Sequence, residues 1–120
     1  MTKLKLSKII AFEYLIAFTL TAFFYGRLDF SWLSFIMFIL LPDISMLGYL
    51  WNTKIGALFY NIGHSYVFPA LLMMIAFMTS TTIFLIAALI WLAHIFLDRA
   101  LGYGLKYDEG FKKTHLQRIM

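Results

Sequence analysis

The longest uncharged stretch of the chain decides its class of fold. Residues 55–97 read IGALFYNIGHSYVFPALLMMIAFMTSTTIFLIAALIWLAHIFL and contain no Asp, Glu, Lys or Arg over 43 positions. An α-helix rises 1.5 Å per residue, so about 20 apolar residues cross the hydrocarbon core of a membrane. Residues 79–82 (TSTT) interrupt the run with hydroxyl side chains that favour a helix start. The stretch therefore predicts two membrane-spanning helices joined by a short turn.

The whole chain has the composition of a membrane protein. Of its 120 residues, 62% are hydrophobic and 13% are charged, whereas soluble domains are about half apolar and about a quarter charged. A chain of this length leaves too much surface exposed to bury the apolar excess, which excludes a soluble monomer. The high hydrophobicity also excludes a disordered chain. Because the chain has no cysteine, disulfides, thiolate metal sites and cysteine nucleophiles are excluded as well.

Four apolar segments reach the length that a membrane span requires, and polar or glycine-containing breaks separate them. Neither an internal repeat nor a linker divides the chain, so we expect a single integral membrane domain. The fold class predicted from this pattern is an all-α, polytopic membrane protein whose four transmembrane helices form one bundle. The predicted spans are about 9–25, 31–51, 56–78 and 83–101, within a domain at 1–120 that ends in a cytoplasmic tail at 102–120.

The positions of the basic residues predict the orientation of the bundle. With four spans, both termini and the loop that carries Lys54 lie on the same side of the membrane. The chain has ten Lys and Arg residues, and only Arg27 falls on the opposite side. Since basic residues accumulate in cytoplasmic loops, we expect both termini to be cytoplasmic, in a multi-pass protein of the cell membrane (inner or plasma membrane).

The same charges predict the partners of the protein. The basic residues flank apolar segments and do not form a stripe on a soluble face, so we expect no nucleic acid. The expected partners are the lipid bilayer and the anionic lipid headgroups at the cytoplasmic face. A second copy of the chain, forming a homo-oligomer, is a further candidate.

Five ionisable residues lie inside the predicted spans. Each is costly at membrane depth unless it is paired, hydrated or bound to metal, so such residues are functional candidates by default. Counting along the helices places all of them within about 5–13 Å of the cytoplasmic face, whereas chance would have scattered them over both leaflets. These residues are Glu13, Asp43, His64, His94 and Asp98.

The residue types and their spacing predict a metal site. His94 and Asp98 are four residues apart and share one helix face. Pro42 and Pro69 are expected to disturb the second and third spans close to further polar residues. Imidazole and carboxylate groups that meet inside a helix bundle are suitable ligands for transition metals. The expected ligands of a divalent metal, for which zinc is one candidate, are Asp43, His64, His94 and Asp98, with Glu13 as general base or a further ligand.

Each of these residues also has a purely structural interpretation. His94 and Asp98 could form a hydrogen-bonded pair that locks the bundle. His64 could hydrogen-bond a neighbouring helix. Glu13 could reach the interface and pair with a lysine, and Asp43 could cap a broken helix. Their convergence on one membrane face is what favours a shared site.

The C-terminal tail is a second concentration of polar side chains. Lys106 and His115 are predicted to hold a substrate phosphate or a lipid headgroup at the cytoplasmic surface. The alternative is a basic tail that only sets the topology. The chain contains no GxGxxG, P-loop, GxSxG or HExxH pattern, so nucleotide binding and the standard hydrolase motifs have no support.

Two family resemblances bear on this site. The run LPDISMLGYLWNTKIGALFYNIGHSYVFP, followed by WLAHIFLDRALGYGLKY and FKKTHL, resembles domain-of-unknown-function family 4260, a family of small bacterial integral membrane proteins. That resemblance covers nearly the whole chain and implies no activity. More distantly, the order Pro-Asp, His and His-x-x-x-Asp is similar to that of inner-membrane metal-dependent hydrolases. The second resemblance implies that the matching positions are Asp43, His64, His94 and Asp98.

Three functions remain open at this point. The first is metal-dependent hydrolysis of a lipid or phosphoester headgroup, in which the metal polarises the bond and activates a bound water. The second is a small transporter or channel component, although the outer halves of the predicted spans lack the ionisable residues of a complete pathway. The third is a structural or partner-binding membrane protein whose polar residues only join helices.

Overall fold

The computed structural model of the protein describes residues 3–102, and every regular element among them is helical. This confirms the prediction of an all-α fold. The chain forms five α-helices and one 3₁₀ helix in that part, which we call the 3₁₀ segment. The elements are α1 (Lys3–Arg27), α2 (Trp32–Phe38), the 3₁₀ segment (Leu41–Leu50), α3 (Thr53–His64), α4 (Val67–Thr79) and α5 (Thr82–Ala100).

Three stretches are long and apolar enough to cross a membrane, judged by length and composition. They are Lys5–Arg27, Thr53–Thr79 and Thr82–Ala100. The first, third and fourth predicted spans therefore correspond to helical stretches of sufficient length. The second differs from the prediction, because residues 31–51 form a short α-helix followed by the 3₁₀ segment instead of one continuous α-helix. Its apolar helical part, Trp32–Ile44, is shorter than the other three stretches.

Both prolines interrupt a helix four residues upstream. A proline ring clashes with the carbonyl of residue i−4 and removes its hydrogen bond. Accordingly, α2 ends at Phe38, four residues before Pro42. The long stretch Thr53–Thr79 is broken at Ser65, four residues before Pro69, so that α3 and α4 are separate helices. The expectation that the two prolines disturb the second and third spans is confirmed.

Side-chain and backbone caps fix the other helix ends. Asn52 is extended and accepts a 2.8 Å hydrogen bond from the backbone N–H of Ile55, which caps the start of α3. Ser31 caps α2 in the same way through Ser34. Ser80 adopts the left-handed conformation (φ 53°) that ends α4. The hydroxyl-rich break predicted between the last two spans is therefore the α4–α5 turn.

Helix α5 lies at the centre of the described structure. It packs against α1 and α4, while the 3₁₀ segment packs mainly against α3. A hydrophobic cluster joins α5 to α1 and α2 and consists of Tyr25, Phe35, Leu89, Ile90 and Ala93. The remaining large apolar side chains of α1 are mostly exposed, as expected for a helix whose outer face contacts lipid. This arrangement places the last turns of α5 beside the end of α3.

Candidate metal centre

Four polar side chains predicted from the sequence converge on one point. Each offers one possible ligand atom, and these atoms all lie within 4.8 Å of one another. The two Nε2 atoms of the imidazoles are 2.9 Å apart. The four distances between an imidazole Nε2 and a carboxylate oxygen are 3.0–3.2 Å. We call this group the His/Asp centre, and it comprises Asp43, His64, His94 and Asp98.

Three separate elements supply these side chains. Asp43 belongs to the 3₁₀ segment and directly follows Pro42, whereas His64 is the last residue of α3, at the break that Pro69 causes. His94 and Asp98 both come from α5, one helical turn apart. Both helix interruptions therefore place a polar residue at the centre, and continuous helices would have placed these two residues elsewhere.

Burial of the centre is uneven. The side chains of His64 and His94 are 3% and 1% exposed, whereas those of Asp98 and Asp43 are 19% and 39% exposed. The imidazoles thus form the inner wall, and the carboxylates lie toward the surface. A small molecule or ion can reach the ligand atoms from the Asp43 side.

The hydrogen bond on the other side of the His64 ring sets its tautomer. His64 Nδ1 lies 3.0 Å from the backbone carbonyl oxygen of Tyr60, which can only accept, so Nδ1 carries the proton. In a neutral ring, Nε2 then has a lone pair and no hydrogen. That lone pair faces two carboxylate oxygens and the Nε2 atom of His94. Either a proton on His94 Nε2 or a cation shared by all four groups makes this arrangement favourable.

The spacing of the ligand atoms agrees with a shared metal ion. Tetrahedral zinc has Zn–N and Zn–O bonds of about 2.0–2.1 Å, which place neighbouring ligand atoms roughly 3.3 Å apart. Five of the atom pairs in the centre are 2.9–3.2 Å apart. Protonation of both imidazoles would also balance the two carboxylates, through the four His–Asp contacts at 3.0–3.2 Å, but it would place two like charges 2.9 Å apart.

The two imidazoles are held differently. A metal-binding histidine usually donates its second ring N–H to a carbonyl or carboxylate, which fixes the ring. His64 has this bond to Tyr60, and the Tyr60 ring also stacks on it at 3.8 Å between centroids. His94 Nδ1 is buried and has no hydrogen-bond partner among residues 3–102. Packing inside the bundle therefore orients His94, while a hydrogen bond and a stacked ring orient His64.

Arg99 is a buried charge that the sequence reasoning did not assign to the site. It is 8% exposed, and its Nη2 lies 3.4 Å from the backbone carbonyl oxygen of His64. Its Nη1 donates to the Tyr14 hydroxyl, and its guanidinium lies over the Tyr66 ring at 4.2 Å. No ion pair joins it to a carboxylate within the described part of the chain. Arg99 thus links α5 to α1 and to the end of α3 directly behind the centre.

The remaining predicted site residues do not join this group. Glu13 lies on α1 with an exposed side chain and is not part of the His/Asp centre. Lys106 and His115 lie outside the described residues 3–102. The roles expected for these three residues therefore stay predictions.

Comparisons with known proteins identify the family. Searches among curated proteins and among solved structures found no match. A family model described as a domain of unknown function (DUF4260) matches residues 7–119, which is nearly the full length. The chain belongs to the DUF4260 family.

Proposed function

We propose that this protein is a membrane-embedded, metal-dependent hydrolase that acts on an ester or phosphoester bond of a lipid headgroup. Its divalent metal would be held by the His/Asp centre. The observation that carries the proposal is the convergence of two imidazole Nε2 atoms and two carboxylate oxygens, with five of their distances at 2.9–3.2 Å.

The charge of the centre favours a divalent cation. Two carboxylates and two neutral imidazoles together carry two negative charges, which a divalent ion neutralises. Neutrality matters here because an uncompensated charge costs several kcal/mol inside a membrane. Imidazole and carboxylate ligands suit zinc, iron and manganese better than calcium or magnesium. The proposed cofactor is therefore a divalent transition metal, with zinc as the first candidate.

The uneven burial of the centre supports hydrolysis over a closed structural site. A divalent metal at this site would supply a Lewis acid and a nucleophilic water at neutral pH. With four protein ligands, the water requires either a fifth coordination position or release of the exposed Asp43 from the metal. Hydrolysis adds the hydroxyl of one water to the phosphorus or acyl carbon, and the proton passes to the leaving oxygen. Asp43 and Asp98 border the accessible side. Glu13 as general base, and Lys106 and His115 as phosphate ligands, are parts of the same proposal.

The orientation in the membrane is also a proposal. Four membrane-entering segments, with the apolar stretch Trp32–Ile44 as the second, would put both termini and the His/Asp centre at the cytoplasmic face of the cell membrane. Since the chain has no cysteine, single-cysteine variants can test this without background labelling. A membrane-impermeant maleimide should label Arg27→Cys in intact cells and leave Lys54→Cys unlabelled. The reverse pattern would overturn the orientation.

Metal analysis tests the centre itself. The purified protein, reconstituted with zinc, manganese or iron and then desalted, should retain about one ion per chain, the stoichiometry of a four-ligand site. His64→Ala and His94→Ala should each lose it. Asp29→Asn is the matched control, because Asp29 is an exposed carboxylate outside the centre whose positive φ of 59° suits asparagine.

The outcomes of the metal analysis separate the proposed function from the structural alternative. Equal metal content in the wild type and in both histidine variants would overturn the metal site and favour a His–Asp network that only joins helices. If the metal binds, release of phosphate or of a headgroup from detergent-dispersed phospholipid should require it. A metal-loaded protein that cleaves neither phosphoesters nor carboxylic esters would overturn the hydrolase.

A further inference from the structure

An apolar cavity of about 640 Å³ adjoins the His/Asp centre. Its walls come from α2, the 3₁₀ segment, α3, α4 and α5. Among the lining residues that the structure describes, only Ser34 and Trp91 have a polar group in the side chain. The Trp91 N–H already donates to the carbonyl oxygen of Gly63. The volume falls within the roughly 300–1,000 Å³ of typical small-molecule sites, and the walls offer almost no polar group to a ligand.

The cavity and the centre share one face of α5. Ile83, Ala87 and Ile90 line the cavity, and His94 and Asp98 follow on the same face at spacings of four, three, four and four residues. From Ile83 to Trp91 the helix rises about 12 Å. The lining of the cavity therefore extends about 12 Å along α5, on the side of the helix that leads to His94 and Asp98.

Neighbours in the sequence connect the cavity to the other two ligands. Pro42 lines the cavity and directly precedes Asp43, and Gly63 lines it and directly precedes His64. All three elements that supply the centre thus also contribute to the cavity. A molecule that fills the cavity therefore contacts the residues that directly precede Asp43 and His64.

The sides of the cavity meet the apolar surface of the protein. Among its lining residues, Phe38, Leu41 and Ile83 are large apolar side chains that are exposed. Ile83 and Ala87 belong to a helix long and apolar enough to span a membrane. In a bilayer these exposed residues contact lipid, so the cavity opens toward acyl chains, and a chain can enter it sideways.

We propose that this cavity binds one acyl chain of a membrane phospholipid, and that the chain positions the headgroup linkage of the lipid at the His/Asp centre. This inference rests on the proposed function and names its substrate class. The apolar walls, their extent along α5, the lipid-facing opening and the neighbouring His/Asp centre match a molecule that is apolar along its length and polar at one end. A soluble phosphoester would leave the cavity unused.

Photolabelling tests the occupant. The probe is a phosphatidylglycerol with a diazirine in one acyl chain, mixed into nanodiscs of phosphatidylethanolamine and phosphatidylglycerol that hold the full chain. Ala87→Trp fills the cavity, and Ile83→Trp blocks its exposed end. If the new side chain keeps only two methylene groups of the acyl chain out of the cavity, the affinity falls about tenfold. Both variants should therefore lower the labelling of peptides that contain cavity-lining residues by about that factor.

The matched control is Ala70→Trp, which adds the same side chain at an exposed alanine of α4 that does not line the cavity. Its labelling should equal that of the wild type. Metal content serves as the folding control, because Ile83→Trp and Ala87→Trp lie outside the His/Asp centre and should keep it. Unchanged labelling in both cavity variants would overturn the proposal, as would labelling by a diazirine fatty acid alone with none by the phospholipid.

A metal-free variant separates this proposal from the proposed function. His94→Ala should lose the metal and still label in the cavity, since the apolar walls do not depend on the ion. If the wild type binds no metal but Ala87→Trp still lowers the labelling, the acyl-chain proposal is supported and the metal-dependent hydrolase is overturned. If the wild type binds metal but Ala87→Trp and Ile83→Trp do not change the labelling, the metal site is supported and the acyl-chain proposal is overturned.

Discussion

The face of α5 that carries Ile83, His94 and Asp98 has an apolar half and a polar half, and different interactions hold each half against the neighbouring helices. The first half, from Ile83 to Trp91, is apolar and adjoins the cavity. The second half carries His94 and Asp98. His94 Nε2 lies 2.9 Å from His64 Nε2 and 3.1 Å from an Asp43 oxygen, and an Asp98 oxygen lies 3.0 Å from His64 Nε2. In a membrane, lipid tails are as apolar as leucine, so apolar contacts alone discriminate weakly between packing against a helix and facing lipid. Polar groups have no such alternative.

This difference teaches that the few polar residues define the arrangement of the bundle near the centre. Leaving a carboxylate or imidazole in hydrocarbon is costly, so the centre holds the 3₁₀ segment, α3 and α5 in one register. Beside the apolar half, a cavity can remain between the helices, because a lipid chain can occupy the space that protein side chains leave empty. The same helix can therefore hold the closely packed His/Asp centre near its C-terminal end and line an apolar cavity nearer its N-terminal end.

The largest expected effect comes from removing one side chain of the His/Asp centre, at the polar half of the α5 face. Zinc at about one hundred times its Kd should stabilise the wild-type protein by about 2.7 kcal/mol, because a ligand that binds only the folded state adds RT ln(1 + [L]/Kd). His64→Ala removes one ligand and should abolish this shift. The measurement is thermal or denaturant unfolding in detergent with zinc and with chelator. An equal zinc-dependent shift in His64→Ala would show that the ion binds elsewhere.

An intermediate effect tests the support behind the polar half. Arg99→Met keeps much of the volume but removes the contacts to the Tyr14 hydroxyl and the His64 carbonyl oxygen. Hydrogen bonds that involve a charged group contribute about 1.5–3 kcal/mol each at normal length. At 3.4 Å these two bonds are long, so we expect each to contribute only about 0.5–1 kcal/mol. We expect a loss of about 1–2 kcal/mol in unfolding free energy, with weaker zinc binding because His64 loses a support.

Arg27→Met is the matched control for Arg99→Met. Arg27 is an exposed arginine at the end of α1, and surface substitutions usually change stability by about 0.5 kcal/mol or less. Equal unfolding free energies for the two variants would contradict a supporting role for Arg99.

The smallest expected effect concerns Trp91, which lies between the apolar and the polar half of the α5 face. The Trp91 indole donates a hydrogen bond to Gly63, next to His64. Trp91→Phe should cost about 1 kcal/mol for the lost bond and leave zinc stoichiometry unchanged. Trp51→Phe, at an exposed tryptophan, should have almost no effect on unfolding. A loss of zinc in Trp91→Phe would mean that the boundary belongs to the centre and not to the cavity.

Local chemistry made much of this structure predictable. Hydropathy predicted the long apolar helices, and the stretch Thr53–Thr79 lies within three residues of the predicted span at each end. Proline geometry predicted disturbed helices near Asp43 and His64, since the ring acts on a carbonyl only four residues away. The convergence of the four side chains of the centre was predictable because an ionisable residue in an apolar segment needs a partner.

Other features depended on contacts between distant residues. Nothing local predicted that residues 41–50 would form a 3₁₀ helix, because 3₁₀ runs longer than three or four residues are uncommon. Arg99 could have been noticed as a cation beside Asp98 in an apolar helix, but its burial requires Tyr14 from α1 and Tyr66 from the start of α4. The cavity requires walls from five elements.

The sequence by itself thus determined the class of the protein and the residues of its candidate site, whereas the tertiary structure alone decided which atoms meet. Apolar runs and prolines act through the nearest turn of the backbone, so they can be predicted from local order. The approach of two Nε2 atoms to 2.9 Å, the absence of Glu13 from the His/Asp centre among the described residues, and the apolar cavity depend on how helices far apart in the chain pack together.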